Sequence, residues 1–214
     1  MSIMKKGNKK IIVLAPHTDD GELGCGGTMA RLIEEGNTLY YIAFSICEES
    51  VPEPYPKDIL EIECRKANKA LGLDEDKIII HKFPVRKFNF HRQEILEIIV
   101  KIRNQIKPDI VFMPCSTSLH QDHKTIYNEG IRAFKHYNCF GYDLPWDSTN
   151  FSTDSFFKLN ANHIEKKWNA ISCYKTQEFR EYCDEEFVFG LARVRGAQIA
   201  IKFAEAFEAL RNIY

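Results

Sequence analysis

Apolar residues follow two different periods over the first two-thirds of the chain. Continuous runs at Ile11-Ile12-Val13-Leu14-Ala15, Leu39-Tyr40-Tyr41-Ile42-Ala43-Phe44, Ile78-Ile79-Ile80 and Ile110-Val111-Phe112-Met113 have the length and composition of strands buried on both faces. Between them the spacing turns helical: Met29, Leu32 and Ile33 before Gly36; Ile59, Ile62, Ala67, Ala70 and Leu71 before Gly72; Ile95, Leu96, Ile99, Ile102 and Ile106 before Pro108. Each segment stops at a glycine or shortly before a proline, where helices end. The repeat is β-α, and it predicts a single α/β domain over residues 1–214, with an open, mostly parallel, Rossmann-like sheet flanked by helices. Right-handed crossovers give such a sheet the order 3-2-1-4. Strands one and four are then neighbours at the switch point, beyond whose C-terminal ends ligands bind.

The last third is less regular and predicts two parts within the domain: a β-α core over 1–140 and a substrate-loop and helical part over 141–214. Tyr142 to Leu159 mixes Gly, Pro, Asp, Ser and aromatics, so loops with short strands are expected there. Helices are expected near Ile164 to Tyr174 and Ile199 to Leu210. Pro52, Pro54 and Pro56 stiffen a loop at the same sheet edge as the switch point, a candidate wall for a cleft.

Composition narrows the setting. A 214-residue chain that is 44% hydrophobic can fill one core. With 29 basic and 30 acidic residues the net charge is −1, so no global field attracts nucleic acid or an anionic membrane. No apolar run reaches the length of a signal-peptide core or a membrane span, which predicts a soluble, cytoplasmic protein. The seven cysteines form no C-x-x-C pair and are odd in number, a pattern that suits reduced thiols.

Candidate chemistry lies at the switch point. Pro16-His17-Thr18-Asp19-Asp20-Gly21-Glu22 follows the first strand, and Ser118-Leu119-His120-Gln121-Asp122-His123 follows the fourth. The topology brings these distant loops together, joining an imidazole and carboxylates to further imidazoles, which is the inventory of a metal site. Two histidines and one carboxylate leave a fourth tetrahedral position open, as catalytic zinc requires. Zinc lowers the pKa of a water held there to about 7, and a carboxylate that is not a ligand can take its proton during attack on a carbonyl. Two adjacent aspartates can divide these tasks.

With Gly24-Cys25-Gly26-Gly27-Thr28, and with Arg195-Gly196 followed by Phe203-Ala204-Glu205-Ala206-Phe207-Glu208, these loops resemble the LmbE-like, or PIG-L, N-acetylglucosaminyl de-N-acetylase family across almost the whole chain. The resemblance implies a zinc-dependent N-deacetylase in which His17, Asp20 and His123 hold one zinc per chain, although such a donor set also accepts other divalent ions. It implies that Asp19 is the general base and that His120, if protonated, stabilises the tetrahedral oxyanion. Asp122 would orient a flanking histidine. The implied partner is a small N-acetylated amino sugar, nucleotide-linked or a glycan precursor. A homo-oligomer is compatible with the resemblance, and no substrate-binding residue is named by it. Two positions depart from the family pattern: Thr18 stands where proline is usual, and Gly21 precedes Glu22 where an acid often follows the aspartates directly.

Plainer readings compete at each position. Asp19 and Asp20 can cap a helix. His81, His91, His136 and His163 lack metal-binding company, and Cys25 reads as a small packing residue between glycines rather than a ligand. Arg86, Arg92, Tyr142 and Trp146 read one by one as solvated charge or core aromatic. The rival from another class is a dinucleotide-binding oxidoreductase, but Met29 sits where the glycine fingerprint needs a small residue, and Asp19 and Asp20 repel a diphosphate. An inactive sugar-binding protein on the same fold is a third reading, disfavoured because all five polar positions carry competent residue types.

Overall fold

The first strand, β1 (Lys10–His17), is central: Ile11 to Pro16 are all buried. Ile11, Val13 and Ala15 enter one core layer, while Ile12 and Leu14 enter the other. The structure is a computed structural model and describes residues 7–213. After β1 come α1 (Asp20–Glu34), β2 (Thr38–Ser45), α2 (Ile59–Leu71), β3 (Ile78–Ile80), α3 (Arg92–Ile106), β4 (Ile110–Pro114) and α4 (Gln121–Ala133). The chain continues through β5 (Asn138–Tyr142), β6 (Ser155–Leu159), α5 (Ala161–Ile171), α6 (Glu185–Ala197) and β7 (Phe203–Arg211). All strands join one sheet in the order β3-β2-β1-β4-β5-β7-β6, which contains the expected 3-2-1-4 order. Pairing is parallel from β3 to β5, and β7 runs antiparallel to both β5 and β6. Helices α1, α2, α5 and α6 cover one face, and α3 and α4 the other. The fold is the expected single α/β domain.

Two expectations change in the last third. No helix spans Ile199–Leu210: the helix lies earlier, at Glu185–Ala197, and residues 203–211 form strand β7. Ala and Glu favour helix locally, yet Phe203, Glu205 and Phe207 alternate with Ala204 and Ala206, and the slot between β5 and β6 imposes the period-two form. Gly196 permits the hairpin turn into β7, since a Cβ there would lie 2.6 Å from the Lys202 carbonyl oxygen. The other change is at residue 140, which falls inside β5, so the C-terminal part completes the same sheet. Helix α5 is found near its expected place and stops at Ile171.

Helix α1 is broken at Cys25 (φ −143°, ψ 20°), where its second half begins among Gly26, Gly27 and Thr28. Glu205 of β7 answers this break. Its carboxylate accepts hydrogen bonds from the Gly27 N–H (3.1 Å) and the Thr28 N–H (2.6 Å), and pairs with Lys167 Nζ of α5 at 2.7 Å. Two helix N–H groups and an ammonium satisfy a carboxylate that would be costly to bury alone. An internal acid therefore fills the anion position that a dinucleotide reading assigns to a diphosphate. Cys25 is buried in this core, as expected of a packing residue, and the described cysteines form no disulfide. No described helix is long and apolar enough to cross a membrane.

Candidate metal centre

His17 ends β1, Asp20 opens α1 and His123 lies in the first turn of α4, beyond the C-terminal end of β4. Three of their atoms converge: His17 Nδ1 and Asp20 Oδ2 are 3.1 Å apart, Asp20 Oδ2 and His123 Nε2 3.2 Å, and His123 Nε2 and His17 Nδ1 3.3 Å. Tetrahedral bonds of about 2.0–2.2 Å to zinc give edges of roughly 3.3–3.6 Å, so the triangle is slightly smaller than one face of such a site and close to its size. Asp20 also accepts the His17 backbone N–H at 2.8 Å, which locks the turn.

The far nitrogens explain why these three atoms face inward. His17 Nε2 lies 3.1 Å from Asp122 Oδ2, and His123 Nδ1 lies 3.1 Å from Asp147 Oδ2. Burial alone would raise both carboxyls, but His17 and backbone N–H groups hold Asp122 below its ordinary value, and His123 and Ser118 do the same for Asp147. Ionised carboxylates only accept, so the far nitrogens donate to Asp122 and Asp147, and the near nitrogens of both rings are turned onto Asp20. Burial would lower both imidazoles, but Cys47 and Asp20 raise His17 and Asp20 raises His123, so without a metal protons lie between these donors, in the place a divalent cation would take. The donor set fits a divalent metal.

His120 is the N-cap of α4 and stands beside this triangle, its ring centroid 4.9 Å from His17 and 4.8 Å from His123. The three histidines offer ligand atoms within 4.8 Å of one another and could themselves hold an ion, but the set containing Asp20 is tighter. His120 Nδ1 accepts the Asp122 N–H at 3.1 Å, leaving Nε2 to carry the proton. Burial, together with the neighbouring His17 and His123, lowers its pKa, which favours a neutral ring with an Nε2–H donor.

Adjacent carboxylates have opposite environments. Burial would raise Asp20, but His123 and His17 outweigh it and hold the carboxyl far below its usual range. Asp19 is raised to about 6 by burial and by the Asp20 charge. It occupies the N-cap position of α1 without making a side-chain cap, so the capping reading is not realised. Behind both, Glu22 is fully buried and pushed up to about 8 by burial, against hydrogen bonds from Tyr41 and Tyr174 that lower it. The same hydroxyls reach the Thr18 carbonyl, Tyr41 at 2.9 Å and Tyr174 at 2.6 Å, and so brace the turn that carries the aspartates. A Cβ on Gly21 would lie 2.4 Å from the Tyr41 ring. Glycine at this position, and the acid one place later, therefore have a packing cause.

A cavity of about 350 Å³ opens over these groups, lined by His17, Asp19, Asp20, His120 and His123. Its other walls include Arg86, Trp146, Asp147, Arg180 and Tyr182, with Ser50 and Leu60 bordering the proline loop. Arg86 has a left-handed φ of 65°, which turns its N–H onto Asp122 Oδ2 at 2.6 Å. Asp147 and Glu22 were not singled out by sequence reasoning. Asp147 lies in an irregular segment without a motif, and the Ser118–Ser148 bridge and the bond from the Leu119 N–H to the Asp147 carbonyl carry it to the site. Tyr142 and Arg92 are structural: the Tyr142 hydroxyl donates to the Leu14 carbonyl and Arg92 pairs with Glu129.

Comparison with known proteins gives concordant results. The family model described as PIG-L, GlcNAc-PI de-N-acetylase, matches residues 12–134. A protein of Escherichia coli (strain K12) named uncharacterized deacetylase YaiS is 27% identical over 184 residues, 82% of this chain and 96% of that one. The N,N'-diacetylchitobiose deacetylase from Pyrococcus horikoshii superposes with a TM-score of 0.76 at 19% identity, covering 94% of this chain and 83% of that one. GalB from Pseudomonas putida KT2440, a 4-carboxy-2-hydroxymuconate hydratase, gives 0.78 at 17% identity, with 96% and 98% covered. At such identities the structural likeness is one of fold, and the fold serves more than one reaction.

Proposed function

Because the chain belongs to the PIG-L family of GlcNAc-PI de-N-acetylases, we propose that it hydrolyses the acetamide of an N-acetylated amino sugar, using a divalent ion, zinc in the first instance, held by His17, Asp20 and His123. The observation that carries this reading is the triangle of converging donor atoms, 3.1–3.3 Å on each edge, backed by a carboxylate behind each imidazole. A divalent ion among those donors would polarise an amide carbonyl and acidify a water.

The chain's own groups do the rest. Asp19, at about 6, is largely ionised at neutral pH and basic enough to accept a proton from the attacking water and return it to the departing nitrogen. His120 donates its Nε2–H toward the carbonyl oxygen as negative charge develops there. Asp122 and Asp147 hold the two imidazole ligands in the required tautomer. The cavity of about 350 Å³ is at the small end of ligand sites, which span roughly 300–1,000 Å³, and suits one sugar unit with a small appendage. The named activities of the relatives support an N-acetyl substrate.

The test joins elemental analysis to free-amine release from N-acetylglucosamine and UDP-N-acetylglucosamine. About one zinc per chain is expected by four-coordinate site logic. His123→Ala should lose both metal and activity, and Asp19→Asn should keep the metal while kcat falls about 10²–10⁴-fold. Full activity in Asp19→Asn would remove the general-base role. A metal-free protein that added zinc cannot rescue would remove the metal reading.

A further inference from the structure

Between α5 and α6 the chain makes two short helical turns, Lys175–Gln177 and Glu181–Cys183, and this segment forms the outer wall of the cavity. It is anchored from below. Glu63 of α2, buried, accepts the Thr176 hydroxyl at 2.7 Å and the Thr176 N–H at 3.2 Å. Gln177, also buried, donates to the Thr176 hydroxyl at 3.2 Å. Arg180 then rises from this base: its Nε donates to Gln177 Oε1 at 2.6 Å and its Nη1 to the Tyr182 hydroxyl at 2.7 Å. Tyr182 in turn stacks on Trp146, with centroids 3.7 Å apart and planes within 6°.

Arg180, like Arg103 and Arg193, hydrogen-bonds to no carboxylate among the described residues, and it differs from those two in lining the cavity. Arg92, Arg195 and Arg86 each face a carboxylate, at 2.6, 3.0 and 3.8 Å respectively. The partners of Arg180 in the structure are the neutral Gln177 and Tyr182, with the Phe179 ring 5.2 Å from its guanidinium carbon. A guanidinium has five N–H donors, and two directed bonds to anchored neighbours fix its plane while leaving donors on offer, although its charge also acts on the Asp19 carboxylate in the same cavity. A solvated surface arginine has no need of a buried acid, a buried amide and an aromatic stack to hold it still. Fixing the side chain in advance removes much of the entropy cost of binding through it.

We propose that this wall recognises an anionic group carried by the substrate: Arg180, held by Gln177 and Tyr182, takes a phosphate or carboxylate attached to the sugar whose acetamide faces Asp19 and His120. The identity of the sugar rests on the deacetylase reading above, whereas the preference for negative charge does not. The wall lies outside the span matched by the family model, residues 12–134. Trp146 and Tyr182 supply an apolar edge beside the charge, the pairing that receives a sugar ring with a charged substituent.

The test is binding, measured by calorimetry on chelator-treated protein so that turnover does not intervene, with N-acetylglucosamine, N-acetylglucosamine 1-phosphate and N-acetylglucosaminuronic acid as probes. The anionic sugar should bind at least about tenfold more tightly than the neutral one, as one charge-assisted bidentate contact provides. Arg180→Gln should abolish that preference, and Arg180→Lys should restore part of it, because the charge returns without the fork. Tyr182→Phe, which frees the guanidinium, should fall between wild type and Arg180→Gln. Preference for the phosphate or for the uronate identifies the source of the anion. Equal affinity for all three probes, no binding of either anionic sugar, or a preference that survives Arg180→Gln would overturn the proposal. Free-amine release from N-acetylglucosamine by the zinc-loaded protein tests the deacetylase reading separately.

Discussion

The two walls of the cavity are built on different plans. The candidate metal side comes from strand ends: His17 closes β1, and His123 sits in the first turn of the helix that follows β4, so backbone pairing between neighbouring strands fixes the distance between these two side chains. The opposite wall comes from short turns between α5 and α6, held by side chains, with Glu63, Thr176 and Gln177 below and Trp146 beside. A sheet edge gives precision that few substitutions alter, whereas a wall of side-chain contacts can be rebuilt residue by residue. The proposed chemistry sits on the rigid side and the proposed selectivity on the replaceable side.

Residues 146 and 147 let that contrast be broken most sharply, because they are adjacent and face the two systems. Asp147→Asn removes the carboxylate behind His123 and should weaken metal affinity about 10–100-fold. Zinc titration with a competing chelator measures this, and activity should return at saturating metal. Trp146→Ala removes the stacking partner of Tyr182, worth about 0.5–1.5 kcal/mol, and should raise KM about 2–10-fold with metal content unchanged. Loss of zinc in that variant would show that the two walls are not separable. A separate effect concerns stability rather than the site. Glu22 keeps its proton in the folded state up to about pH 8, whereas its ordinary value is 4.5. Unfolding releases that proton between these values, so stability falls as pH rises through that window. Glu22→Gln should flatten the decline, as read from denaturation midpoints at pH 5 to 8.

The legibility of the sequence follows the same division. The β-α repeat and strand order could be read because buried parallel strands are apolar runs and crossovers have one hand. His17, Asp19, Asp20, His120, Asp122 and His123 could be found because each sits within a few residues of a strand end. Asp147 and Arg180 carry no such marker: their positions depend on Ser118 meeting Ser148 and on Glu63 meeting Thr176 across long stretches of chain. The misassigned helix at Ile199–Leu210 has a related cause, since local preference for helix yielded to a vacant place between two strands. The departure at Gly21 and Glu22 became intelligible only with Tyr41 in place, because the ring occupies the space a side chain at residue 21 would need.

The carboxylate of Glu205 ties these halves together in time as well as space. It arrives on the last strand, yet it completes the broken helix that begins with Asp20 and stands behind the aspartate turn. Until β7 docks, two helix N–H groups and the Lys167 ammonium lack their partner, and the first loop of the site has no firm floor. A chain cut short before residue 203 would carry His17, Asp20 and His123 and still leave the aspartate turn without its floor.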